Sequence, residues 1–213
     1  MKKIALIFGS FAIAASMFGQ GALIFNNRLT ASGVVAPVYG VSASAPLLRL
    51  SGQSSTNGGA VNYEANGPRS LLIGSGYTAE LWAGTDPIAL APLAMNGKTT
   101  FRTGASTVTG FIQTLLTGDA VVPFVLTPGT TTFIQLRVWK NNGTLAQTWL
   151  QAMAAGADMG QSDTFSLSLS PAPPSPSSAL VGLTSFNLTA VPEPGVIALG
   201  VLGLGALLLR RRK

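Results

Sequence analysis

Cysteine and histidine are both absent from the 213 residues of this chain. Without histidine there can be neither a serine–histidine–aspartate triad nor an imidazole ligand for a metal. Without cysteine there is no thiol nucleophile and no thiolate metal site. Charged residues are scarce as well, at 9% compared with roughly 25% in an average soluble protein. We therefore expect a protein that is not an enzyme and that holds no metal and no cofactor.

Carboxylates are the remaining candidates for chemistry, and there are seven of them. Glu64 and Glu80 could in principle form a glycosidase pair, but nothing in the sequence brings them together, and Glu80 is expected on the solvated face of a strand. A calcium site would need an Asp-x-Asp type of spacing, which is missing among Asp119, Asp158 and Asp163. We expect neither site.

Clustered positive charge is also lacking, although the formal net charge is +6. Between residues 23 and 190 the seven basic residues nearly balance the six acidic ones, and the remaining basic residues lie at the two ends of the chain. Nucleic-acid binding needs a basic face. The sequence therefore indicates no nucleic-acid partner.

The N-terminal end has the three parts of a secretory signal peptide. Lys2 and Lys3 precede an uncharged apolar stretch at 4–18, and small residues follow at 19–22. Cleavage is expected just after Gly21 or Ala22, which makes residues 1–22 the signal peptide. The alternative is an uncleaved N-terminal anchor, although fifteen apolar residues are short for a span of about 20.

The C-terminal end contains an uninterrupted apolar run at 196–209, followed by the basic residues Arg210, Arg211, Arg212 and Lys213. A cytoplasmic position for this basic cluster leaves residues 23–195 outside the membrane. Directly before the run come Pro192, Glu193, Pro194 and Gly195. Two prolines hold the backbone extended and stop the helix from continuing backward. A plain tail anchor would explain the run but not the motif.

This tail, residues 191–213, resembles the PEP-CTERM sorting signal. The resemblance rests on the Pro-Glu-Pro motif, the apolar helix and the basic end. It implies an exported protein of a Gram-negative bacterium, handled by the general secretion machinery and then by exosortase. It also implies an inner-membrane-anchored precursor, cleavage near the motif, and delivery to the outer surface or to an exopolysaccharide matrix.

The middle of the chain shows the period-two alternation of half-buried strands. The clearest cases are 77–83, 133–140 and 165–170. Short strands of this kind predict a mainly β fold, an antiparallel β-sandwich over residues 23–170. The Asn-Gly turn at 141–143 predicts a hairpin that pairs 131–140 with about 144–150. Helix has little support, with 145–156 as its best candidate. The small, polar residues of 40–68 indicate a long mobile loop.

A Pro- and Ser-rich loop begins at residue 171, and residues 183–190 could form a last strand or simply a stalk. We favour the strand because Leu183, Phe186 and Leu188 would be costly to leave in water. The segment 171–190 therefore connects the predicted sandwich to the tail.

Trp82 and Trp139 fall on the face opposite the aliphatic one in their strands, where aromatic rings could stack on sugars. The alternative is that both are core residues. The leading interpretation is a non-enzymatic surface or matrix protein with a structural or interaction role. The second is a carbohydrate-binding module for exopolysaccharide, with contacts from these two tryptophans.

Overall fold

The computed structural model describes residues 20–191, apart from 105, 115–118, 124–128, 142, 146, 170 and 173–175. The predicted signal peptide up to residue 19 and the sorting tail from residue 192 onward lie outside this range. The described part is mainly β, with several sheets and very little helix.

The strands are, in chain order, β1 (Gln20–Ile24), β2 (Arg28–Leu29), β3 (Val34–Val35), β4 (Val38–Tyr39), β5 (Tyr77–Gly84), β6 (Ala91–Pro92), β7 (Lys98–Thr99), β8 (Ala120–Val122), β9 (Thr130–Lys140), β10 (Met159–Gln161), β11 (Phe165–Leu169), β12 (Pro171–Ala172), β13 (Ser178–Ala179) and β14 (Phe186–Asn187). Helix α1 spans Trp149–Ala154, and short 3-10 turns lie at Thr30–Ser32, Ser55–Asn57 and Ser106–Val108.

The main sheet is built around the antiparallel pair β5 and β9. Strand β9 also pairs with β10 and β11, while β5 pairs with β6 and β7, and all of these pairs are antiparallel. The predicted strands at 77–83, 133–140 and 165–170 correspond to β5, β9 and β11. These three strands could be predicted because polar and apolar residues alternate along them.

A second sheet has β1 at its centre, with β8, β12 and β13 as its partners. The pairs with β8 and β12 are antiparallel and the pair with β13 is parallel. Two small sheets complete the structure: the parallel pair β4 and β14 and the antiparallel pair β2 and β3.

The sheets share one apolar core. Its buried residues come from both larger sheets and from the pair β4 and β14, and include Leu23, Val38, Leu81, Val122, Leu136, Leu169 and Phe186. Leu183, Phe186 and Leu188 are all buried there, so the chain after the Pro- and Ser-rich segment returns to the body as β14.

The residues 40–68 form a loop without long regular elements, and a stacked pair of tyrosines attaches it to the body. The rings of Tyr39 and Tyr63 lie 4.1 Å apart and nearly parallel. The Tyr63 hydroxyl donates to the carbonyl oxygens of Gly52 and Ser185, at 2.9 and 2.5 Å. Burial raises the pKa of Tyr63 well above its usual range, and the neighbouring Tyr39 raises it further.

The hairpin predicted after residue 140 is wrong in the described residues. Strand β9 takes its partners from β5, β10 and β11, and helix α1 begins at the end of the segment predicted to pair with it. Thr148 and Gln151 form a reciprocal capping box, in which each side chain bonds the other's backbone N–H. This cap starts the helix, and burial of Trp149 and Ala152 holds it on the sheet.

Strand β1 begins before the predicted signal cleavage site. Gly21 pairs with Val122 and Ala22 with Val121, so cleavage after Gly21 or Ala22 would remove paired residues from the centre of the second sheet. If the predicted signal peptide is removed, intact pairing of β1 requires cleavage upstream of Gly21.

Candidate functional site

The outer face of the main sheet gathers a group of polar and aromatic side chains that contact one another. Alternation along β5 and β9 sends the aliphatic residues into the core and leaves the other set outside. Cross-strand register places Glu80 opposite Arg137, Trp82 opposite Gln135 and Thr78 opposite Trp139. We call the set Glu80, Trp82, Lys98, Gln135, Arg137 and Trp139, together with Trp149 of α1, the tryptophan face.

Trp139 lies on this face, opposite the aliphatic side chains of its strand, but it is completely buried. Helix α1 covers it, and the Trp149 ring meets it edge to face with centroids 5.9 Å apart. Ala152 and Met159 complete the cluster. A sugar cannot stack on a ring that is 0% exposed, so the predicted contact through Trp139 is wrong. Its role is to hold the helix on the sheet.

Trp82 is half-buried, and the guanidinium group of Arg137 lies over its ring. The Arg137 Cζ lies 3.7 Å from the Trp82 ring centroid and 5.3 Å from that of Trp149. Such cation–π contacts stabilise by about 0.5–2 kcal/mol, more when desolvated. Arg137 Nε donates to Gln135 Oε1 at 2.8 Å. Burial lowers the pKa of Arg137 and the nearby Glu80 raises it, but a guanidinium remains charged at neutral pH.

Glu80 is buried rather than solvated, which corrects the sequence-based expectation. Its carboxylate accepts from Trp82 Nε1 at 2.9 Å and pairs with Lys98 Nζ at 3.1 Å. The same ammonium lies 5.4 Å from the Trp139 ring centroid. The positive charges near Glu80 come from Lys98 on β7 and Arg137 on β9, which lie opposite it across the sheet. The sequence of β5 alone does not predict these neighbours.

The two glutamates considered as a catalytic pair occupy different surroundings. Glu64 is exposed in the loop after Tyr63, where its backbone N–H bonds the Asn62 side chain. Glu80 is committed to Lys98 and Trp82. No contact joins the two carboxylates within the described residues.

The three aspartates considered for calcium are also separate. Asp119 accepts from Ser177, Asp163 pairs with Arg49 at 3.4 Å and accepts from Ser51 at 2.6 Å, and Asp158 lies beside β10. In the part of the chain that the structure covers, no three acidic side chains come together in a way that could hold a metal ion.

A groove of about 190 Å³ lies beside the tryptophan face. It is lined by Arg49, Trp149, Met159, Gly160, Gln161, Asn187, Thr189 and Val191. Two backbone bonds join Met159 and Thr189, at 3.0 and 2.8 Å, and Ala190 N–H donates to the Pro46 carbonyl at 2.8 Å. Val191 then packs against the tryptophan cluster. The sequence does not predict this groove, because its walls come from segments far apart in the chain.

The predicted sorting residues Pro192, Glu193, Pro194 and Gly195 and the basic cluster at 210–213 lie outside the described residues. Among the residues that are described, no helix is long and apolar enough to cross a membrane.

Comparisons with known proteins give no match: no family model, no curated protein and no solved structure resembles this chain.

Proposed function

We propose that this chain is an exported surface or matrix protein whose C-terminal segment is a PEP-CTERM sorting tail. The observation that supports this most directly is the order of the Pro-Glu-Pro motif, the apolar run and the basic end in the sequence. Backbone bonds fix Thr189 and Ala190, and Val191 packs on the tryptophan cluster. The next residue is Pro192, the first of the motif. In this proposal the processing enzyme recognises the motif that follows Val191 in the sequence.

In this proposal the described part is a sandwich-like ectodomain, and residues 196–209 form an apolar helix that anchors the precursor in the inner membrane. Faces of the two larger sheets meet in one core, which is the packing of a sandwich. The partners are the general secretion machinery first and exosortase second. The mature protein then resides on the outer surface or in the extracellular matrix.

A structural or interaction role fits the use of charge on the tryptophan face. The buried carboxylate of Glu80 is neutralised by Lys98, and Arg137 lies between two tryptophan rings. These contacts stabilise the sheet and the helix above it. They favour a scaffold or binding surface over a catalytic one.

The sorting assignment is tested by changing Pro192, Glu193 and Pro194 to alanine in the natural host. We expect the precursor to stay larger and membrane-bound, as judged by mass and fractionation. Changing Pro173 and Pro174 to alanine is the matched control and should leave processing intact. A motif variant with the mature mass and location of the unmodified protein would leave only a simple tail anchor.

A second candidate function is binding of an acidic polysaccharide at Trp82 and Arg137. Within the described residues, Arg137 bonds Gln135 through Nε alone, so its terminal nitrogens are available to a carboxylate-bearing sugar. Trp82 is partly exposed beside it. A guanidinium group suits bidentate recognition of a carboxylate, and the host's own exopolysaccharide is the ligand to test.

Retention on that polysaccharide, purified, separates the two roles. Trp82→Ala and Arg137→Met should each abolish retention if this face binds sugar. Arg28→Met is the matched control, because Arg28 also lies over an aromatic ring, that of Phe111 at 5.0 Å. Unaltered retention in the first two variants would eliminate this site.

A further inference from the structure

Strand β11 lies at an edge of the main sheet, where β9 is its one partner among the described strands. Leu136 of β9 accepts from the Ser162 N–H, so the even-numbered residues of β9 direct their backbone groups toward this side. The register sets even-numbered residues of β9 opposite Phe165, Leu167 and Leu169. These three residues of β11 therefore make their backbone hydrogen bonds to β9.

The backbone groups of Ser166 and Ser168 point the other way, toward the open edge. Both residues are exposed, and no other described segment pairs with them. The neighbouring strand β10 differs, because backbone bonds between Met159 and Thr189 close its outer side. In the described part of the chain, β11 therefore presents two N–H and two C=O groups without a strand partner.

The edge of β11 also lacks the features by which proteins protect an open strand. Such strands usually carry a lysine, a proline or an inward-pointing charge. On the opposite edge of the main sheet, β6 contains Pro92 and β7 contains Lys98. Strand β11 has the sequence Phe-Ser-Leu-Ser-Leu, and no charged residue occurs from 164 to 191. Nothing in β11 itself opposes the addition of another strand.

The apolar side of β11 is incompletely covered. Leu169 is completely buried, whereas Phe165 and Leu167 pack against the core but are only half-buried. A strand added at this edge would cover both side chains with its own, since directly opposed residues on one face of a sheet contact each other. One partner would therefore supply both the missing backbone bonds and the missing apolar contacts.

The sequence of β11 is complementary to itself. In an antiparallel pair centred on Leu167, Ser166 of one copy lies opposite Ser168 of the other, and Phe165 lies opposite Leu169. The serines then share the outer face and the apolar residues share the core face. Each of the two serine pairs exchanges two backbone bonds. This is a two-fold contact, in which both copies use the same surface, and neither copy brings a charge to it.

We propose that β11 is a self-association edge, through which two copies of this chain join antiparallel and their main sheets become one continuous sheet. Because the outer faces of the two strands coincide, the two tryptophan faces lie on the same side of the joined sheet. A paired surface of this kind suits a structural role outside the cell. The inference does not rest on the sorting tail, so its failure would leave that proposal standing.

Disulfide trapping tests the pairing directly, because the chain has no cysteine of its own. Ser166→Cys and Ser168→Cys would be co-expressed as full-length chains with different affinity tags, and each would also be expressed alone. Opposed hydrogen-bonded residues have Cα atoms about 5.5 Å apart, which a disulfide can bridge. Identical positions in the two copies lie on a diagonal of about 7–8 Å, which is too long. Leu167→Cys faces itself across the two-fold axis at about 4.5 Å.

We expect the mixed sample and Leu167→Cys alone to cross-link severalfold more than Ser166→Cys alone or Ser168→Cys alone, as judged on non-reducing gels after oxidation. Thr131→Cys is the matched control, because Thr131 is exposed on the neighbouring strand β9, away from the open edge, and it should not cross-link. Melting curves under reducing conditions check that each variant is folded. Equal cross-linking at all these positions, or none at positions 166, 167 and 168 in folded chains, would overturn the proposal.

Discussion

Replacing Trp149 by alanine tests the claim that burial of this side chain helps to hold helix α1 on the sheet. A tryptophan buries about 150–250 Å², and at about 25 cal/mol per Å² its removal from water contributes about 4–6 kcal/mol. Trp149 is 8% exposed, so nearly all of this area is covered. The edge-to-face contact with Trp139 adds about 1 kcal/mol.

The expected loss is smaller than that sum, because a six-residue helix can detach without unfolding the sheets. We expect Trp149→Ala to lower the free energy of unfolding by about 3 kcal/mol. For a domain of this size that corresponds to a fall in Tm on the order of 10 °C. Urea denaturation and thermal melting of the fragment 20–191 provide the measurement.

The neighbouring residue supplies the control. Leu150 occupies the same helix but is 70% exposed, so Leu150→Ala in the same fragment should change the free energy of unfolding by no more than about 0.5 kcal/mol. Hydrogen exchange at Ala152 and Ala155 should accelerate in the Trp149 variant alone. Equal effects from the two substitutions would refute the claim that Trp149 anchors the helix.

Three further predictions follow from individual contacts. Because the folded pKa of Tyr63 is raised, the unfolded state loses its proton first, and stability should fall as the pH rises above about 10; Tyr63→Phe should flatten this alkaline loss in urea titrations. Gly110→Ala should be less stable than Gly143→Ala, since both glycines have positive φ but only a Cβ at 110 would meet Leu71 and Pro37, at 2.8 and 2.9 Å; similar melting curves would contradict this. If a signal peptide is removed, the mature protein should begin at or before Gln20, which intact mass spectrometry checks, because later cleavage would remove paired residues of β1.

The strands that the sequence predicts are those in which polar and apolar residues alternate, because this alternation alone determines which side chains are buried. In β9, Ile134, Leu136 and Val138 enter the core, and the outer residues alternate with them. The same rule placed Trp82 and Trp139 on the outer face. It could not show that a helix would cover Trp139, since that cover comes from another segment.

Helix α1 lies inside 145–156, the best helix candidate in the sequence, although its apolar pattern gives that candidate little support. Thr148 and Gln151 have the spacing of a capping box, but the Asn-Gly turn before them suggested a hairpin. Six residues are too few to show a clear apolar stripe. The burial of Glu80 was unreadable for a different reason: its counter-ion Lys98 comes from β7, after a turn whose geometry no local pattern determines.

Strand β1 has a consequence for the order in which the chain folds. It lies at the centre of the second sheet, yet Leu23 pairs with Ala120 and with Ser178, which are synthesised much later. Folding dominated by such distant pairings is slow, because loop closure must precede any gain from contact. Both edges of β1 therefore stay open until nearly the whole domain has emerged. While the rest of the domain is still being made, the open edges of β1 must be kept from pairing with strands of other chains.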